Sequence, residues 1–170
     1  MRFVLLLSGL LSASLVQASQ VCFADISAST VNEDFTALPG GLVLQQSRGL
    51  IWQRCLYGQS WNHAEQRCDG SAIRLTWQEA LQQSRNMSET ALAWRVPDVK
   101  EAMSLIERQC VDPAIRLSVF PNANSENIWT STTVQAMPAE AWAIAMYSGK
   151  NNRKGKEQQL YVRFVRLSDE

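Results

Sequence analysis

Histidine is almost missing from this chain, with His63 the only one. There is also no Cys-x-x-Cys pair, no glycine-rich phosphate cradle and no nucleophile-elbow pattern. A lone histidine and scattered cysteines do not supply the closely spaced ligands of a structural zinc site. Without a plausible partner set for His63, no nucleophile and base are legible, and His63 reads as a loop residue. An Asp-rich calcium loop is absent as well. Neither sign of charge is in surplus, since 16 Lys and Arg stand against 16 Asp and Glu. General nucleic-acid binding rests on a large basic excess and is therefore not expected. Finally, no apolar run approaches the roughly 20 residues of a spanning helix. Together these absences lead us to expect no enzyme activity, cofactor, metal, nucleic-acid partner or transmembrane segment after processing.

The first residues carry an export pattern. Arg2 gives a short positive start, residues 3–11 are apolar except for Ser8 and Gly9, and Val16-Gln17-Ala18 closes the segment. Small residues at the third and first positions before a cut suit signal peptidase, which places cleavage after Ala18. A cut after Ala24 would discard Cys22. Val21, bulky and directly before Cys22, does not fit a lipoprotein signal. Removing residues 1–18 from the 170 leaves 152, the size of one domain with a substantial core. The expected product is a single periplasmic or secreted domain over residues 19–170.

Four cysteines remain in that domain: Cys22, Cys55, Cys68 and Cys110. An even number in an exported chain implies two disulfides. Three pairings are formally open. The favoured one joins Cys55 to Cys68 across a short loop containing Tyr57, Trp61 and His63, and leaves Cys22 for Cys110.

Along the chain, Leu42-Val43-Leu44 and Leu50-Ile51-Trp52 read as paired strands, with turns at Gly40-Gly41 and Gly49. Residues 55–70 are polar and read as a disulfide-bounded loop. Thr76-Trp77-Gln78-Glu79 is a capping box that opens a helix to about Met87, with Trp77, Ala80, Leu81 and Ser84 on one face. A short extended segment follows at 91–96. Asp98 then caps a second helix predicted over 99–109, burying Val99, Ala102, Leu105 and Ile106. Residues 113–127 read as irregular. Strand-like runs follow at 128–134, 141–147 and 161–167, with a polar loop at 148–159. The pattern is α+β: a mainly antiparallel sheet, two helices and two disulfides.

The motifs Gly49-Leu50-Ile51-Trp52-Gln53-Arg54-Cys55, Leu75-Thr76-Trp77-Gln78-Glu79-Ala80, Trp94-Arg95-Val96-Pro97, Pro113-Ala114-Ile115 with Phe120-Pro121-Asn122, Trp129-Thr130-Ser131-Thr132, Ala141-Trp142, and Tyr161-Val162-Arg163 with Val165-Arg166 occur in this order. In that order the chain resembles the Lcl C-terminal domain family, also called DUF1566, from about residue 22 to 167. The resemblance implies a bacterial envelope or secreted protein with a C-type lectin-like fold. In the adhesin that names the family, the domain is associated with sulfated glycans. That adhesin has a collagen-like stalk and this chain has none, so multivalent display is not implied. No ligand residue is carried over by position. Lectin-like architecture is shared with formylglycine-generating enzymes, which use cysteines for chemistry. Two formed disulfides would leave no thiol for it.

Of the six tryptophans, Trp52, Trp77, Trp94, Trp129 and Trp142 sit in strand or helix patterns and read as core. Trp61 lies in the polar disulfide loop beside Tyr57 and is the aromatic candidate for stacking on a sugar ring. Lys150, Arg153, Lys154 and Lys156 cluster in the 148–159 loop and are candidates for an anionic ligand, against the simpler role of a solvated tip that resists edge pairing. Asp98 and Glu101 read as caps, with Glu107 on the same helix, rather than as an acid–base pair. Asn122, Asn124, Glu126 and Asn127 offer oxygen atoms without a recognised spacing. The function expected is an exported, non-catalytic module binding an anionic or sulfated glycan or another surface ligand. The alternative is an envelope assembly protein with a protein partner.

Overall fold

The computed structural model describes residues 19–88 and 93–168. The leader read at residues 1–18 and the start of the extended segment read at 91–96 lie outside the described residues. In chain order the strands are β1 (Val21–Cys22), β2 (Phe35–Leu38), β3 (Leu42–Gln45), β4 (Leu50–Gln53), β5 (Ser60–Asn62) and β6 (Arg67–Asp69). Helices α1 (Trp77–Ser88) and α2 (Val99–Met103) follow, then β7 (Cys110–Val111), β8 (Asn127–Val134), β9 (Met137–Ala145), β10 (Lys150–Gly155) and β11 (Val165–Leu167).

The named strands all pair antiparallel. One sheet has the order β11-β4-β3-β2, a second β10-β9-β8, and two short ladders join β1 to β7 and β5 to β6. The turn into β4 passes through Gly49, whose φ of +60° a side chain adopts only at a steric cost. Residues on a strand alternate between faces. Val43, Trp52 and Val165 are in register across three strands and enter one core with Leu105, Ile115, Phe120 and Ile144. Leu42, Leu44 and Ile51 enter a second core with Ala80, Trp94, Trp129 and Phe164. The second half of β9 faces both cores as well. Ala141 and Ala143 lie with Ala80 and Trp77 of α1 in the second core, and Ile144 and Met146 lie with Ala102 of α2 in the first.

Both caps form. Thr76 N–H donates to Glu79 Oε2 at 2.8 Å, and Glu79 N–H donates back to Thr76 Oγ1 at 3.3 Å. Asp98 and Glu101 exchange the same pair of bonds at 2.8 Å each. Both disulfides have the favoured pairing, Cys22–Cys110 and Cys55–Cys68.

Three local expectations change. Helix α2 stops at Met103 instead of running to 109. Beyond it Ile106 bridges Ile115, and Glu107 N–H donates to the Ala114 carbonyl at 3.0 Å, so tertiary pairing replaces helical bonds. Residues 55–70 contain the β5–β6 hairpin, with Trp61 opposite Cys68. The polar 148–159 segment holds β10, which pairs along β9 through its backbone despite a sequence with little strand propensity.

Glu107, read on the second helix, instead clasps the N-terminal segment. It is 2% exposed, and its carboxylate accepts from the N–H groups of Ser29 (2.8 Å), Thr30 (3.2 Å) and Gln109 (3.0 Å), from Thr30 Oγ1 (2.7 Å) and from Arg116 Nη2 (2.9 Å). Burial alone would raise its pKa. The hydrogen bonds from Ser29, Gln109 and Thr30 outweigh that and hold it lowered from 4.5 to about 2. The unfolded chain therefore binds the extra proton between those values. The stabilisation, about 3 kcal/mol, is complete above pH ~4.5 and is lost as pH falls toward 2. Urea titrations of the oxidised protein at pH 6 and pH 3 should show this loss, and Glu107→Gln should flatten that part of the profile while lowering stability at pH 6 by roughly 2–4 kcal/mol.

Candidate ligand cleft around Trp61

Where β4 ends, the chain turns through the Cys55–Cys68 disulfide and then forms the β5–β6 hairpin. This folds Trp61 back over the Gly40-Gly41 turn. Gly41 has φ +74°, and a Cβ there would lie 2.4 Å from Trp61 Cβ, so only glycine permits the approach. On the other side, α1 brings Gln83 and Met87. The result is a cleft of about 400 Å³ between Trp61, Tyr57, Gln53, Gln59, Gln83 and the glycine turn.

The polar groups of the cleft fall into two sets. Gln59 shapes the loop, its Oε1 accepting from Leu56 N–H at 3.1 Å. By contrast, the amides of Gln53 and Gln83, the Tyr57 hydroxyl and the Trp61 indole N–H have no hydrogen-bond partner among the described residues. Three of the five tryptophans read as core differ on this point. Trp52 Nε1 donates to Gln45 Oε1, Trp77 Nε1 to the Thr130 carbonyl and Trp129 Nε1 to the Leu75 carbonyl. Trp52 and Trp129 are fully buried and Trp94 nearly so, which bears out their reading as core, while Trp77 and Trp142 are half-buried. Tyr57 is held edge-on against Phe164, with ring centroids 5.9 Å apart. No described residue lining the cleft is charged.

Two arginines support the cleft from below. The Arg54 guanidinium lies 4.2 Å from the Trp61 ring centroid, and its Nε donates to the Val119 carbonyl at 2.7 Å. Arg163 is 2% exposed, lies 4.6 Å from the Phe120 ring centroid, and donates through Nη1 to the carbonyls of Gln53 and Arg54. Burial lowers the pKa of Arg54. Burial, then the neighbouring charge of Arg54, pushes Arg163 down to about 9, so both stay cationic at neutral pH.

The basic run is not gathered into one patch. Lys150, Asn152 and Lys154 share the β10 face whose cross-strand partners are Ala145, Ala143 and Ala141, and Arg153 points to the opposite face across from Trp142. Arg153 approaches Glu140 at 3.8 Å, and Lys156 stacks 4.2 Å from the Trp77 ring centroid. Asn122 exchanges hydrogen bonds with the backbone of Cys68, and Asn124 Oδ1 accepts from Glu126 N–H. A second cleft of about 730 Å³ lies at the far end of β3, beyond Gln45. It includes Arg48, Lys100 and Arg108, none of them ion-paired among the described residues. Sequence patterns did not single out Gln53, Gln83 or these three cations. Gln83 is one polar residue among several on α1 until the β5–β6 hairpin is placed against it.

The protein is thus a disulfide-stapled α+β domain with an aromatic–amide cleft beside one staple. It belongs to the Lcl C-terminal domain family, whose model matches residues 41–166. No curated protein and no solved structure shows significant similarity to it.

Replacing Gly41 with Ala should destabilise the domain by roughly 1–3 kcal/mol through positive-φ strain and the clash with Trp61. In a double-mutant cycle read by urea denaturation, a Trp61→Gly background, which removes the clashing Cβ, should remove the clash part and leave the backbone strain.

Proposed function

We propose that this is an exported, non-catalytic, lectin-like binding module that seats a saccharide in the Trp61 cleft. The observation that carries the reading is the set of unengaged groups there: an indole, a phenol and two primary amides around one concave surface. A sugar ring presents an apolar face suited to an aromatic side chain and hydroxyls that exchange hydrogen bonds with amides. Both disulfides are formed and no free cysteine remains among the described residues, which supports the binding reading over a thiol-based chemistry. The disulfides also suit a chain exported by the leader read at residues 1–18.

A glycan array with the oxidised domain of residues 19–170 tests this. Trp61→Ala should abolish the strongest signals, and Gln53→Ala or Gln83→Ala should each weaken them about tenfold, with the melting temperature unchanged for the Gln variants. Binding that survives Trp61→Ala would refute the site. No glycan binding at all would move the weight to a protein partner in the envelope.

The second reading, an anionic glycan, is favoured by the three unpaired cations of the larger cleft. If it holds, binding weakens at high salt and Arg48→Glu/Lys100→Glu/Arg108→Glu removes it. Reversing Lys150, Arg153, Lys154 and Lys156 should have little effect. Loss through the second set alone would restore the basic strand as the site.

A further inference from the structure

The walls of the Trp61 cleft carry a narrower chemistry than sugars in general require. No described residue lining it is charged. A carboxylate or sulfate drawn inside would give up water without meeting a counter-charge. The Arg54 guanidinium, stacked 4.2 Å from the Trp61 ring centroid, is not among the lining residues, and its Nε is engaged by the Val119 carbonyl. It occupies one face of the indole, so a ligand in the cleft has at most the other face to stack on. The volume of about 400 Å³ lies near the lower end of ligand pockets, roughly 300–1,000 Å³. One stacking face and this volume suit one ring with its substituents.

Two elements bring amides and apolar groups together here. Along β4, Gln53 shares the face of Ile51, and it lies opposite Leu42 of β3. That is the face on which α1 packs, since Ile51 and Leu42 enter one core with Ala80, Leu81 and Met87. On α1, Gln83 and Met87 are four residues apart and therefore neighbours on the helix surface. The cleft thus joins two unengaged primary amides to the apolar side chains of Leu42, Leu56 and Met87. A primary amide carries donors and an acceptor in one plane. Among sugar substituents, the acetamido group matches this lining. It presents an N–H, a carbonyl and a methyl group in one plane. Its amide pairs with a glutamine amide in both senses, and its methyl group takes apolar surface out of water. A hexose bearing hydroxyls alone sets them against the three apolar side chains, where hydrogen bonds to water are lost without replacement.

Resting on the saccharide reading of this cleft, we propose that its ligand is an uncharged acetamido sugar, an N-acetylhexosamine ring. The apolar face of the ring stacks on the open face of Trp61. The acetamido group exchanges hydrogen bonds with the amides of Gln53 and Gln83 and places its methyl group against Leu42, Leu56 and Met87.

The test titrates the oxidised domain of residues 19–170 with methyl glycosides of N-acetylglucosamine, N-acetylgalactosamine, glucose, galactose and glucuronic acid. Binding is followed by proton–nitrogen correlation spectra at the Trp61 indole N–H, a signal assigned by its loss in Trp61→Phe. One of the two acetamido sugars should bind at least about tenfold more tightly than its parent hexose, equally at low and high salt. Gln83→Leu, which removes an amide from the half-buried face of α1 and keeps an apolar side chain there, should bring that preference down to about twofold while leaving the affinity for the parent hexose unchanged. Equal affinity for acetamido sugar and hexose, a preference that survives in both Gln83→Leu and Gln53→Leu, or tighter, salt-sensitive binding of the glucuronide would overturn the acetamido assignment and leave the saccharide reading standing. A Trp61 signal that none of the five glycosides shifts would overturn both.

Discussion

The guanidinium of Arg163 is the constraint on which the Trp61 end of this domain depends. It lies two residues before β11, yet its hydrogen bonds go to the carbonyls of Gln53 and Arg54, where the chain leaves β4. Those carbonyls have no ladder partner of their own at the sheet's end, and the guanidinium provides one. Holding them fixes the direction in which Cys55 enters its disulfide, and thereby where the β5–β6 hairpin can lie. The aromatic faces of Phe120 and Trp61 cover the two arginines, so the charge is surrounded by ring quadrupoles and carbonyl dipoles rather than by a carboxylate.

The opposite end of the molecule uses the reverse arrangement, a buried carboxylate satisfied by N–H groups and one arginine. Glu107 binds Ser29 and Thr30, Gln20 Nε2 donates to the carbonyls of Pro113 and Ile115, and Cys22–Cys110 closes the chain covalently. The N-terminal segment adds little to either core, and Val21, Phe23, Ile26 and Val31 stay exposed. It is held by polar and covalent ties, which explains why its attachment is sensitive to acid while the cores are not.

Much of the scaffold was legible in the sequence. The alternation in Leu42-Val43-Leu44 and Leu50-Ile51-Trp52, the Gly49 turn and the two caps are local signals, and the structure has all of them. Even the cysteine pairing followed from loop length and count. Three features were not legible because their causes lie elsewhere in the chain. Strand β10 has the composition of a loop and becomes a strand because β9 offers it a backbone edge. The helix read to 109 ends at Met103 because Ile115 and Ala114 compete for the groups that would have continued it. The basic cluster was dispersed by strand alternation, which sends Arg153 to one face and Lys150 and Lys154 to the other.

Trp61 shows the division most clearly. Sequence alone marked it as the tryptophan outside any core pattern, because pattern depends only on near neighbours. It could not say that Gln53 from β4, Gln83 from α1 and the side-chain-free surface of Gly41 would line one cleft with that ring, since the cleft joins segments distant in sequence. The sequence by itself determined the β3–β4 pair, both helix starts and the odd tryptophan, and favoured one cysteine pairing, all through local periodicity, capping and cysteine count. The tertiary structure decided which unengaged amides share a cleft with the indole and where the arginine without an ion pair lies, because burial and hydrogen-bond partnership are properties of the packed chain.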